Sequence, residues 1–447
     1  MDKILSFLKK YTSLLIPAGI VLVVVLVLIP TVLIGRSVEE KMDESIRIGR
    51  NVDNLRSRAH SEEDVKMMKS FQDAYEADAE AVENLAKQTT QRELVSYDIF
   101  PEPKDESVQI YEEFGANFRT EVEALLRRIN ARNAPTDNEI ETEMAARGTT
   151  GDYNRSGRGR RSRSRTSRRR QDDGAEKVRD LILKKRAQEM SIYATANIFD
   201  WYRFWEKYKF ESRDTAVENC WYSQLAFWVY EDVVETIKAI NAASRAGVAD
   251  DMGVLTSDVK RLVGVNFQKH ADYYDDSARS GYGGYSMSEN AFADNPDYVL
   301  DVEKESVFGI RPWTGRVCDD TVDVIHFSMA VVINSQAVFP FIKELCSVKK
   351  HTFKGYDGKS PEQTFERNQI TVLQYWQEPV DMLSANHDRY RYGNSGVVKL
   401  SLTCEYIFNR GGYQEIKPRT IEEYLVETKE LIEKAANPTN MFGPPPG

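Results

Sequence analysis

Four cysteines in 447 residues, with no C-x-x-C pair among them, are too few and too widely spaced for a disulfide framework. The five histidines, His60, His270, His326, His351 and His387, are scattered and show no metal-ligand spacing. Asp272, Asp275 and Asp276 cluster, but their spacing fits no calcium loop. The Gly-rich stretch at 277–290 has no Gly-Lys-Ser/Thr ending, which excludes a phosphate-cradling loop. Ser288 stands where the last glycine of a nucleophile elbow belongs. No nucleophile, base and orienting group come together, so no catalytic residue, cofactor, metal or small-molecule substrate is assigned. One point stays open around Cys346, which can fall near His351 across a helix-to-strand turn, with Cys404 in the same sheet. Zinc, a Cys346 to Cys404 disulfide and ordinary buried thiols are the three readings there.

Charge is absent from Leu14 to Ile34, LLIPAGIVLVVVLVLIPTVLI. At 1.5 Å rise per residue this run, through Leu14, Ile20, Val25, Leu28 and Ile34, is long enough to cross a hydrocarbon core of about 30 Å. A signal peptide has a shorter apolar core and a small-residue cleavage site, so an uncleaved transmembrane anchor is expected. Lysines before the run and arginines after it leave charge counting undecided. The expected topology is a single pass of a bacterial inner membrane, with a short cytoplasmic N-terminus and the bulk extracytoplasmic.

Acidic residues are missing from 155–170, which holds nine arginines, among them Arg155, Arg160, Arg161, Arg168, Arg169 and Arg170. The whole chain nevertheless carries a formal charge of −10, so the remainder is distinctly acidic. Residues 134–175 also lack apolar periodicity and are expected to be a disordered linker. Arginine interleaved with glycine and serine binds phosphates, but this run has no aromatic side chains to stack bases. A solvated linker, or contact with anionic lipid, polysaccharide or an acidic partner, is favoured over nucleic acid.

What is present is helical periodicity followed by strand alternation. After the anchor segment, 1–36, a coiled-coil and helical region is expected over 37–133. Its seam runs through Met68, Phe71, Tyr75, Val82 and Leu85 on a highly charged background, with a break near 57–64. A second helix follows from about Glu106, with Tyr111, Phe114, Phe118, Val122, Leu125 and Leu126 on one face. An aromatic-rich helical unit spans 176–243 and holds four of the six tryptophans, a pattern that is usually core packing. Residues 244–320 form an irregular connecting region with one strand near Val259 to Phe267. In 321–410 the order is strand (322–334), helix, strand (348–353), strand (370–377), short helix (378–385), strand (397–408), and residues 411–447 hold an amphipathic helix and a Pro-rich disordered tail. The fold class is therefore α+β, with a small terminal sandwich of ferredoxin-like type.

Anchor, coiled coil and terminal α+β domain, in that order, resemble the PilO and GspM type of inner-membrane assembly proteins of type IV pili and type II secretion. The resemblance is carried by Leu14 to Ile34, the heptad-like run to Leu85, the DVIHFSMAVVIN strand, the SQAVFPFIKEL helix and the YGNSGVVKLSLTCEYIF segment. It implies a non-enzymatic scaffold that forms a homodimer, or a heterodimer with a similarly built inner-membrane protein. The arginine run and the aromatic unit depart from that pattern. They support an alternative, a membrane-anchored protein that holds glycan, anionic lipid or nucleic acid.

Overall fold

The computed structural model describes residues 38–54, 62–105, 107–147, 165–246, 252–268, 295–382, 384 and 387–436. The expected anchor at 14–34, the arginines Arg155, Arg160 and Arg161, the Gly-rich loop, His60, His270 and the Pro-rich tail lie outside them. No helix among the described residues is long and apolar enough to cross a membrane. The chain divides into two units, before and after Val82.

The first unit contributes α1 (residues 38–54) and most of α2 (Glu62–Gln88). Three- and four-residue spacing of apolar side chains on good helix formers produces both helices. Their stripes are not buried: Met42, Ile46, Met68, Phe71 and Tyr75 are all exposed.

The second unit is built on a six-stranded mixed sheet in the order β1-β2-β3-β4-β8-β7. Its strands are β1 (Ala131–Arg132), β2 (Ile192–Tyr193), β3 (Val259–Asn266), β4 (Val322–Asn334), β7 (Ile370–Pro379) and β8 (Val397–Asn409). Strands β5 (Lys349–Phe353) and β6 (Gln363–Arg367) pair only with each other. Apart from a single turn at Arg410–Tyr413, its α-helices among the described residues are α3 (Gln109–Arg128), α4 (Asp137–Ala146), α5 (Arg165–Gln188), α6 (Asp200–Glu206), α7 (Arg213–Arg245), α8 (Val338–Leu345) and, at the C-terminal end, α9 (Arg419–Ala436).

Strands β4 and β8 run antiparallel in unbroken register from Val322 opposite Asn409 to Asn334 opposite Val397. The alternation in β4 turns Ile325, Phe327, Met329, Val331 and Ile333 into the main core, where α3, α6, α7 and α8 pack. Ala330 and Val332 face the other way, into a smaller cluster with Tyr193, Met190 and Tyr392. Trp201, Trp205, Trp221 and Trp228 are all buried in the main core. Segments that read separately in the sequence, 106–132, 176–243 and 321–410, thus share one interior.

Four expectations need correction. The ferredoxin-like arrangement does not form, because β3 occupies one side of β4, β8 takes the other, and β7 extends the sheet from β8. The strand expected at 348–353 does not join the main sheet but forms a detached hairpin, since β6, for which no strand was expected, captures β5. Of the short helix expected at 378–385, residues 378 and 379 belong instead to β7, and no helix forms among the described residues of that span. Within 134–175, Asp137–Ala146 is helical because Thr136 and Glu139 form a reciprocal capping box. Its Ile140 and Met144 bury against Ile182 and Leu183 of α5, a helix that begins at Arg165 and carries Arg168, Arg169 and Arg170.

Gly253 sits at φ +59°, where an added Cβ meets the backbone carbonyls of Met190, Ala187 and Gln188. Gly309 has a similar φ of +69° but open space around it. We predict that Gly253→Ala costs at least about 1–3 kcal/mol and that Gly309→Ala costs less. Thermal melts followed by circular dichroism check this, and equal melting temperatures for the two variants would contradict it.

Candidate functional site

Two sites emerge from the second unit, one closed and ionic, the other an open cavity. The first is centred on Asp232, in the EDVV stretch of α7, where two acids interrupt an apolar run. Asp232 is 1% exposed, and two buried arginines from distant segments converge on it. Arg367 donates from Nε to Asp232 Oδ1 at 2.7 Å, and Arg92 Nη1 lies 3.5 Å from Asp232 Oδ2. Arg92 also donates to Tyr406 Oη at 2.6 Å, to the Trp228 carbonyl at 3.2 Å and to Glu231. The Tyr406 hydroxyl in turn donates to Asp232 at 2.7 Å. Burial alone would raise the Asp232 pKa, but the charges of Arg92 and Arg367 outweigh it and hold the carboxyl down at about 2.

His351 joins this cluster through its ring Nε2, 2.9 Å from the Gln91 carbonyl oxygen, which fixes Nε2 as the protonated nitrogen. Burial and then the charges of Arg92 and Arg367 push its pKa down to about 4. Around it the chain leaving α2 is clamped: Gln369 Nε2 donates to the Thr89 carbonyl at 2.8 Å and Thr90 Oγ1 to the Asn409 carbonyl at 2.8 Å. Sequence periodicity missed this site because isolated arginines in polar stretches read as solvated. The one available signal was the acid pair inside an apolar helical run.

The cavity arises from the way the sheet is continued. Strand β3 ends with Asn266 opposite Ser328, and the chain returns to β4 further along, where Tyr298 bridges Ile325 and the Val299 amide donates to the Val324 carbonyl at 2.8 Å. Between these two contacts His326 borders a cavity of ≈ 460 Å³, within the usual range for ligand pockets. Helix α7 supplies Glu218 and Tyr222, α9 supplies Ile421 and Tyr424, and Phe267 and Phe308 add apolar wall. His326 is 3% exposed and, among the described residues, neither ring nitrogen has a hydrogen-bond partner. Its cross-strand neighbour Glu405 is engaged elsewhere, accepting from Arg316 at 2.8 Å and Thr314 at 2.5 Å. Burial lowers the His326 pKa despite the pull of Glu405, so the ring is neutral near neutral pH.

Other sequence candidates are placed plainly. Cys346 and Cys404 are close enough for the neighbouring Cys346 to add to the burial that pushes the Cys404 thiol up, yet all four cysteines are free thiols. Among the described residues no three His, Cys, Asp or Glu side chains are placed to hold a metal ion. The four tryptophans of the aromatic unit are buried. On the surface, Met68, Phe71, Tyr75, Val82 and Leu85 of α2 stay exposed, as do Tyr375 and Trp376 of the edge strand β7, beside Phe339. No protein-family model matches the chain, and no curated protein or solved structure does so either.

Removing the Asp232 charge leaves two arginines short of a partner in the core. Asp232→Asn is expected to cost about 3–5 kcal/mol in urea unfolding. The native pKa values of His351 and Asp232 both lie below their unfolded values, so each contributes stability at high pH that acid removes. For His351 the loss runs from about pH 6.5 to about 4, and for Asp232 from about 3.9 to about 2. Chemical unfolding across that range should show stability falling already below about pH 6.5, with the upper step reduced in His351→Gln. A wild-type profile flat down to about pH 4 would count against this assignment.

Proposed function

We propose that this chain is a non-enzymatic, membrane-anchored scaffold that associates through the exposed seam of α2. The observation that carries the reading is that Met68, Phe71, Tyr75, Val82 and Leu85 are between 58% and 78% exposed on a single helix of 27 residues. Large apolar side chains in a row on an otherwise charged helix are costly in water and are ordinarily covered by a partner helix.

The spacing is that of a heptad seam. With Met68 at position a, Phe71 is d, Tyr75 is a, Val82 is a and Leu85 is d. Asp78 takes the remaining d position. In a parallel homodimer two Asp78 carboxylates face each other, so the seam is weakest there and a partner with a basic residue at that position is preferred. This supports a heterodimer with a similarly built protein, with the homodimer as a weaker state.

The apolar run 14–34 supplies the anchor in this reading, with the bulk of the chain on the extracytoplasmic side of the inner membrane. The order of anchor, seam and α+β unit supports a place in an envelope assembly complex of the pilus or secretion type. The exposed Tyr375 and Trp376 on edge strand β7 offer a second association surface, because an uncovered aromatic edge is otherwise an aggregation liability.

Sedimentation velocity of the full chain in detergent tests the seam. The wild type is expected to populate a dimer at high concentration, Phe71→Glu with Leu85→Glu to be monomeric with an unchanged thermal midpoint, and Asp78→Leu to dimerise about tenfold more tightly. A strict monomer in both the wild type and Asp78→Leu would overturn the seam.

A further inference from the structure

The cavity beside α9 is independent of the proposed association and has its own chemistry. His326 is a buried imidazole on the cavity wall with no hydrogen-bond partner at either nitrogen among the described residues, and its acceptor nitrogen suits an occupant with a polar hydrogen. The charged groups around the cavity are mostly acidic: Glu218, Asp297, Asp301 and Glu305 against Lys304. Glu218 is half-buried at the α7 wall. Burial and the nearby Asp214 raise its pKa, so a cation placed there relieves an unfavourable site. Tyr222 and Tyr424 add aromatic faces, to which an organic cation is attracted.

We propose that this cavity binds a small organic cation with an apolar body, an arylalkylammonium in the simplest case, its charge held at Glu218 and an N–H donated to His326. The alternatives fit the walls less well. A metal ion finds one imidazole and, among the described residues, no three-ligand group. An anion meets an excess of carboxylates. A purely apolar molecule leaves the imidazole unsatisfied.

The test is calorimetric titration of the full chain in detergent with phenethylammonium chloride, with 3-phenylpropionate as the anion of matched body. Saturable binding of the ammonium, with the anion at least about tenfold weaker, is the expected result. Glu218→Gln should weaken the ammonium by about tenfold and leave the melting temperature unchanged. His326→Ala should also weaken it, and because that buried position can compromise folding, the ring 15N resonances of His326 in the wild type serve as a second readout and should shift on binding. Heat that does not saturate at millimolar ligand, as for a cavity holding only water, overturns the proposal. So does equal binding of the anion, or an affinity unchanged in Glu218→Gln with the His326 ring signals unmoved.

Discussion

Arg92 carries a full charge at 1% exposure, and the second unit is arranged so that it can. Its charge is met by Asp232 and Glu231 from α7, its hydrogen-bonding fork by Tyr406 of β8 and the Trp228 carbonyl, and a second buried arginine, Arg367, shares the same carboxylate. Desolvating two guanidinium groups is expensive, and only multiple short contacts with good geometry offset it. The cluster contributes little net stability for the same reason. Its value is in specification: one α7 carboxylate ties together residues 92, 367 and 406, and the arrangement leaves its members no equally good alternative. The segment after α2 is thereby held by buried charge as well as by the Thr89 and Thr90 clamps.

The parts of the fold legible in the sequence were those with a clean period. Strand β4 alternates so regularly that its inward set, Ile325 to Ile333, follows from the sequence alone, and α3 buries the face its spacing marks. Pairing was not legible. Nothing in the alternation of β4 says that its neighbour is β3, some sixty residues upstream; register carries side-chain direction but not partner identity. The hairpin of β5 and β6 illustrates the same limit, since QTFER has one apolar residue and its strand character comes from the partner it meets. Helix α4 was lost for the opposite reason. Its capping box was written in Thr136 and Glu139, but the arginine run next to it set the tone for the whole window.

Of the candidate sites, the exposed apolar row of α2 was readable as spacing and the cavity was not. His326 occupies an alternation position that packs outward from the main core, where a surface or inter-element role was the natural expectation. It became a buried, unsatisfied ring only because the chain at 298–299 returns to β4 and α9 covers the gap. That is a tertiary event with no local signal.

Asp78, Asp232 and His326 make the same point from three directions. Each is a polar residue at, or directly beside, positions that the local period assigns to apolar side chains. A sequence that obeys its own pattern elsewhere gains nothing in stability from such exceptions. Asp232 is explained in full by the arginines it meets, so its exception is structural and closed. His326 meets no hydrogen-bond partner among the described residues, and Asp78 is exposed on its helix. Satisfied exceptions hold a fold together; unsatisfied ones await something outside it. By that distinction the cavity and the exposed row of α2, rather than the ionic cluster, are where we propose that this protein engages other molecules.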